Sequence, residues 1–198
     1  MTKKKGIREY LKERANVTDE QIAKIESKFV FRKYKRGDLL MNKGDVCRIF
    51  FFVEKGLLRL YSIDAAGKEH VLQFAPEGGI TGDRACVYLG EPSEFYIDAL
   101  EDCEVVLMDD ASLSYMAEVS PQFREHNKLL LHNHIRSMQN RINSLISASA
   151  EERYLDFLKK YPQLMLRVAQ WMVASYLGIT PESLSRVKKE LVKNNKNL

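Results

Sequence analysis

The sequence predicts an α+β fold: a β-roll, then one long helix, then a small bundle of short helices. Three observations predict it. Between Phe29 and Asp109 the apolar residues come in strand-length runs separated by glycine turns; from about Pro121 to Ser149 there is neither glycine nor an internal proline; and three short helical patterns follow. The 198 residues, 45% hydrophobic and 29% charged, are an ordinary composition for a folded protein with two small cores.

Residues Ile7 to Lys28 read as helical, with Thr18 ahead of Asp19, Glu20 and Gln21 as a helix start. The turns that follow are Gly37-Asp38, Gly44-Asp45, Gly56, Gly67, Gly78-Gly79 and Gly90. Ile49–Val53, an aromatic and β-branched run, suits a buried strand, and it is expected to pair as a hairpin with Leu57–Ile63 through Gly56. Asp64 to Lys68 reverses the chain into His70–Phe74. Glu94–Leu100 and Glu104–Met108 are expected to pair around Glu101-Asp102.

In the long helix, Leu131, Ile135, Met138, Ile142 and Leu145 advance by alternate steps of four and three, the spacing of a coiled-coil seam. Asn133, Arg136, Gln139, Asn140, Arg141 and Asn143 occupy its other faces. A narrow apolar seam with polar flanks calls for a partner helix, and a second copy of the chain is the simplest partner.

Ser147 to Ala150 reads as a hinge. Three helices are then expected over Glu151–Lys160, Leu166–Leu177 and Pro181–Lys193. Across the last two, Ala174 lets helices approach, Gly178 turns the chain, Ile179 plugs the corner, Thr180 caps the second helix and Pro181 takes its first position. Leu184, Val187 and Leu191 face inward at helical spacing. This is the pattern of a helix-turn-helix, whose second helix fits the major groove of double-stranded DNA. Thr180, Glu182, Ser183, Ser185, Arg186, Lys188 and Lys189 are the candidate DNA-contacting residues. The net charge is only +4, but Arg186, Lys188, Lys189, Lys193 and Lys196 concentrate positive charge at this end. The Lys3 to Lys5 cluster is read as a solvated tail.

No apolar run approaches the ~20 residues of a bilayer span, and no apolar signal core follows Lys5, so a cytoplasmic protein without membrane association is expected. Cys47, Cys86 and Cys103 are far apart and form no CxxC pair, which points to reduced thiols and to neither zinc nor a disulfide framework. His132 and His134 point to different faces of a helix and cannot chelate one ion together, and only His70 lies in the β region, too few ligands for a cupin-type catalytic metal. A single histidine suffices for haem, which leaves His70, His126, His132 and His134 as candidates in principle, but exposed or structural histidines are expected. No nucleophile, base and orienting group come together in the sequence, so no enzyme is expected.

The order β-roll, long helix, helix-turn-helix resembles the Crp/Fnr family of regulators. The matching segments are Phe51 to Gly56 with Leu58 to Tyr61, Glu91-Pro92-Ser93 leading to Ala99-Leu100-Glu101, and Val173 to Arg186. The resemblance implies a cyclic-nucleotide-binding-like jelly roll over residues 1–118, a dimerisation helix over 119–149 and a DNA-binding domain over 150–198. It also implies a homodimer on a palindromic operator, effector control by the roll, and RNA polymerase as a further partner. The family's cyclic-nucleotide cassette corresponds to Gly82, Asp83, Arg84, Ser93 and Glu94. Asp83 keeps a carboxylate, but the position of the phosphate-binding arginine falls at Ser93 or Glu94, so cAMP in the usual mode is disfavoured and the effector is unknown. The first cysteine is Cys47, so no iron–sulfur cluster is expected. The β-hairpin wing found in many relatives has no counterpart, since only Pro162 to Arg167 precedes the motif. Glu182, Ser185 and Arg186 resemble the base readers of the Fnr branch, which implies a TTGA-like half-site. The alternative is a small-ligand sensor whose C-terminal module binds protein instead of DNA.

Overall fold

The computed structural model describes residues 6–195. Lys3 to Lys5 and Lys196, read above as basic clusters, lie outside them. The described chain forms two compact units. One contains the residues up to Ile63 together with Leu72–His132; the other contains Asp64–Val71 together with the residues from Asn133 onward.

The first unit is a roll of two four-stranded antiparallel sheets. Strands β1 (Val30–Tyr34), β3 (Ile49–Lys55), β6 (Ile80–Thr81) and β8 (Cys103–Asp109) form one sheet in the order β1-β8-β3-β6. Strands β2 (Leu39–Met41), β4 (Leu58–Ile63), β5 (Glu69–Ala75) and β7 (Tyr96–Ala99) form the other in the order β2-β7-β4-β5. Strand β3 is buried on both faces, which explains its unbroken apolar run. Phe51 and Val53 enter the core between the sheets with Leu58, Leu60, Ile97 and Val105, while Phe50 and Phe52 join Val106 and Met108 under the helices.

Those helices are α1 (Ile7–Ala15), α2 (Asp19–Glu26), α3 (Asp110–Val119) and the start of α4 (Pro121–Ser147). The helical stretch expected over Ile7–Lys28 forms two helices, separated where Asn16 adopts a left-handed conformation at φ 51°. Thr18 starts the second as expected, accepting from Gln21 N. Leu11, Ile22, Ile25, Met116 and Phe123 line the helical side of the core. Glu54, at the end of β3, accepts from Ile7 N at 2.7 Å and so anchors the start of α1. The Tyr10 hydroxyl lies 2.9 Å from His126 Nε2. Burial pushes the phenol up to about 12 and, with Arg14, lowers the imidazole, so a protonated hydroxyl donates to a neutral ring near neutral pH.

Two expected hairpins are absent. Strands β3 and β4 lie in different sheets, as do β7 and β8. Both members of each pair carry apolar residues into the same core from opposite sides, which edge-to-edge pairing would prevent. The two crossings pack against each other: Gly56 has φ +94°, and a Cβ there would stand 2.6 Å from Cys103 Sγ and 2.7 Å from Asp102 O. In sequence such a corner carries the same glycine as a hairpin turn. The expected β4–β5 reversal does form, and Asp64 stabilises it by accepting from Ala66 N at 2.9 Å and Lys68 N at 3.0 Å.

In the second unit the rest of α4 is followed by α5 (Ala150–Lys160), a 3₁₀ turn at Leu164–Leu166, α6 (Gln170–Leu177) and α7 (Pro181–Asn195). The hinge expected at Ser147–Ala150 is a cap, with Ser149 accepting from Glu152 N and Glu152 accepting from Ser149 N. Helix α6 begins at Gln170 and not at Leu166, because Ala169 is extended and Leu166 is 96% exposed. Tyr154, Phe157, Leu164, Val173, Ala174, Leu177, Leu184 and Val187 form the core of this unit.

Replacing Gly56 with alanine is expected to destabilise the protein by about 2 kcal/mol or more, since strain at positive φ adds to the clash with Asp102 O. Urea unfolding checks this, and wild-type stability would mean that the crossing relaxes freely.

Candidate functional site

The turn between α6 and α7 has the expected construction. Gly178 adopts φ 67° and donates to Ser175 O, and Ile179 N donates to Ala174 O at 3.0 Å. Thr180 Oγ1 accepts from Ser183 N at 3.2 Å and so caps α7. Leu184 and Val187 are buried at 1% and 7%, which fixes the rotation of α7 and turns Glu182, Ser185, Arg186 and Lys189 to solvent. Ser183 is committed to the cap, and Lys188 Nζ donates to Gln170 Oε1 at 3.0 Å on α6, so these two are tied to the scaffold. Arg186 makes no ion pair among the described residues, which leaves its guanidinium fork available. The backbone N–H of Glu182, and then the Thr180 hydroxyl, hold the Glu182 carboxyl below its ordinary value. It is an ionised acceptor at neutral pH.

The seam residues Leu131, Ile135, Met138, Ile142 and Leu145 are 41–56% exposed along α4. They form one stripe of unpartnered apolar surface.

In the roll, Asp83 and Ser93 are buried at 6% and 1%. Asp83 Oδ2 accepts from Ser93 Oγ at 2.9 Å and from Glu94 N at 3.4 Å, while Oδ1 accepts from Ala85 N at 3.0 Å. The carboxylate expected to face a ligand is thus engaged by its own loop. Gly82 packs so closely that a Cβ would stand 2.5 Å from Phe50 Cδ1. Arg84 turns to the Phe50 ring, 5.5 Å from its centroid, and the exposed Glu94 pairs with Lys43 at 3.1 Å. The structure therefore brings Asp83, Ser93 and Glu94 together, and Arg84 makes no hydrogen bond or ion pair with them among the described residues.

The sequence reading missed a cluster in the second unit. Ser175 Oγ accepts from Val71 N at 2.9 Å and donates to Glu69 O at 3.1 Å. Arg141 donates to Val71 O at 3.3 Å and Tyr176 O at 2.9 Å, and its guanidinium stacks 3.8 Å from the Tyr176 ring centre. Arg141 and Tyr176 read in sequence as a polar flank and a core aromatic; only their meeting gives them a role.

Two of the four histidines have ordinary settings: His70 pairs with Asp64 at 2.8 Å, and His126 with Tyr10. The three cysteines are free, and among the described residues no group of three or more His, Cys, Asp or Glu side chains could hold a metal ion. No helix among the described residues is long and apolar enough to cross a membrane.

In chain order the described architecture is a double-sheet roll, a long helix and three shorter helices, the last two joined by the turn of a helix-turn-helix. Residues 31–119 match the family model of the cyclic nucleotide-binding domain. The chain is 28% identical over 170 residues to the transcriptional activator protein anr of Pseudomonas aeruginosa, covering 79% of this chain and 68% of that protein. It is 26% identical over 164 residues to the anaerobic regulatory protein of Aggregatibacter actinomycetemcomitans, covering 77% of this chain but only 63% of that relative. Among solved structures, FixK2 from Bradyrhizobium japonicum superposes with a TM-score of 0.72 at 20% identity, over 84% of this chain and 86% of that one. A CooA mutant from Carboxydothermus hydrogenoformans does so with a TM-score of 0.72 at 20% identity, over 96% and 85%. The chain is thus similar in sequence to these regulators and shares the fold of the two solved structures.

The cassette geometry gives an expected outcome: cAMP titrated into the protein produces no binding heat in the micromolar range, because Asp83 is already satisfied and no guanidinium faces it. Micromolar binding that vanishes in Asp83→Ala would show that the loop opens to admit the nucleotide.

Proposed function

We propose that this chain is a homodimeric DNA-binding transcription regulator acting in the cytoplasm. Residues 1–118 serve as the effector-responsive roll, 119–149 as the dimer helix and 150–198 as the reading head, with RNA polymerase as a further partner. The observation that carries this reading is the rotation of α7. Its buried Leu184 and Val187 leave Glu182, Ser185 and Arg186 exposed over the first half of a capped helix, where a major-groove reader places its base contacts. Arg186 matches the two acceptors of guanine, and the ionised Glu182 matches the amino group of cytosine. Lys189 matches a phosphate, while Thr180, Ser183 and Lys188 hold the helix in place and contact the backbone at most. The transcriptional roles of the relatives support the same reading.

The dimer rests on the exposed seam. Burying it supplies several kcal/mol at about 25 cal/mol per Å², before the cost of association. Ile135→Glu combined with Ile142→Glu is expected to give monomers that bind DNA weakly; a double variant that sediments as a dimer would remove the assignment.

Operator reading separates two classes of residue. Arg186→Ala is expected to lose about 1–3 kcal/mol at the specific site and to relax its guanine preference. Lys189→Ala is expected to weaken all sequences alike and to flatten the salt dependence. Selection of bound duplexes from a random pool checks this, with an inverted repeat of TTGA-like half-sites expected for wild type. An unchanged motif from Arg186→Ala would mean that α7 docks by another face.

A further inference from the structure

The C-terminal unit contains a cavity of about 350 Å³ between α4, α5 and α6, within the usual size range for small-ligand sites. Four cationic side chains line it: Arg136 and Arg141 from α4, Arg153 and Lys160 from α5. The one carboxylate on its wall, Asp156, lies 3.8 Å from Lys159. None of the four cations makes an ion pair among the described residues. Arg136 donates to Asn133 Oδ1 at 3.0 Å, and Lys160 stands 5.2 Å from the Tyr161 ring centre. Arg141 spends its Nη2 on the carbonyls of Val71 and Tyr176. Arg153 donates Nη1 to the carbonyls of Leu145 and Ala148, and its buried Nε–H has no acceptor.

Four like charges around one void repel each other, and the low dielectric of a cleft sharpens the repulsion. Carbonyl bonds account structurally for Arg141 and Arg153, but not for Arg136 and Lys160 on the same wall. We propose that the cavity binds a small organic phosphate, whose dianionic group meets the cations and whose organic part rests on Phe157, Tyr176 and Leu177. Three guanidinium groups match phosphate oxygens better than a single carboxylate. The void is also too large for a bare anion, and its apolar wall would leave such an anion unsupported.

The cavity stays open in the proposed dimer. The seam occupies positions 131, 135, 138, 142 and 145 of α4, whereas the cavity residues Asn133, Arg136, Ser137, Asn140, Arg141 and Ser144 fall on the other faces; Leu145 alone belongs to both sets. Because α6 carries α7 through the packing of Val173, Ala174 and Leu177 on Leu184 and Val187, a ligand bridging α4, α5 and α6 fixes the position of the reading helix. That regulatory consequence rests on the operator reading above; the binding itself does not.

Calorimetry on the full-length protein without DNA tests the site, with AMP as the organic phosphate and inorganic phosphate as the bare anion. AMP is expected to bind once per protomer, at least tenfold more tightly than phosphate, and at least tenfold more weakly to Arg136→Gln/Lys160→Gln. Both substituted side chains are exposed, and circular dichroism of the variant verifies the fold. Three results overturn the proposal: no binding of AMP, AMP and phosphate binding equally, or AMP binding undiminished in the variant. Operator binding by the wild type is measured separately, so its failure sinks the regulator reading and leaves the cavity result standing.

Discussion

Everything in the first unit depends on β3 and β8 being buried on both faces. Phe51, Val53 and Val105 close the interior of the roll, and Phe50, Phe52, Val106 and Met108 give α1, α2, α3 and the start of α4 a surface to pack on. A strand with one wet face could not do both. The β3–β8 register, with Phe51 opposite Leu107 and Phe52 opposite Val106, therefore sets where the long helix leaves the roll. Glu54 at the start of α1 and His126 on α4 add polar ties at either end of that helical layer.

In the second unit a single helix divides its faces among several tasks. One stripe of α4 is apolar and exposed, and another carries Arg136 and Arg141 toward the C-terminal helices. Arg141 also bonds β5 through Val71 O and the end of α6 through Tyr176 O. Helix α4 is thus tied directly to α6, which in turn packs on α5 and α7.

Charge is handled differently at the two candidate ligand sites. In the roll, polar groups are paired internally: Asp83 with Ser93, and the buried Arg59 with Asp98 through Nε at 3.0 Å and Nη2 at 2.5 Å. A buried pair of this kind adds little net stability but strongly resists the loss of one partner. In the cavity beside α5 the cations have carbonyl, amide or aromatic-ring neighbours and no carboxylate partner among the described residues, so their charge is not neutralised. The cassette position that the family resemblance singles out is thus the quieter of the two in electrostatic terms.

The sequence by itself determined most of the elements and the turn that joins the last two helices. Glycine turns, the four-three seam and the run from Ala174 to Val187 are local patterns, and local patterns are what propensity, capping and periodicity report. Glu182, Ser185, Arg186 and Lys189 were legible because helical spacing alone turns them away from Leu184 and Val187. Only the tertiary structure decided that Gly56 and the Glu101–Cys103 corner are crossings between sheets and not hairpins, since the two turns look alike until the core assigns each strand to a side. It alone also decided that Arg84 stacks by the Phe50 ring, that Ser183 and Lys188 are spent on the scaffold, and that Arg136, Arg141, Arg153 and Lys160 surround one void. These residues lie up to 24 positions apart, on helices whose packing is set by side chains elsewhere, and no local spacing records such a meeting.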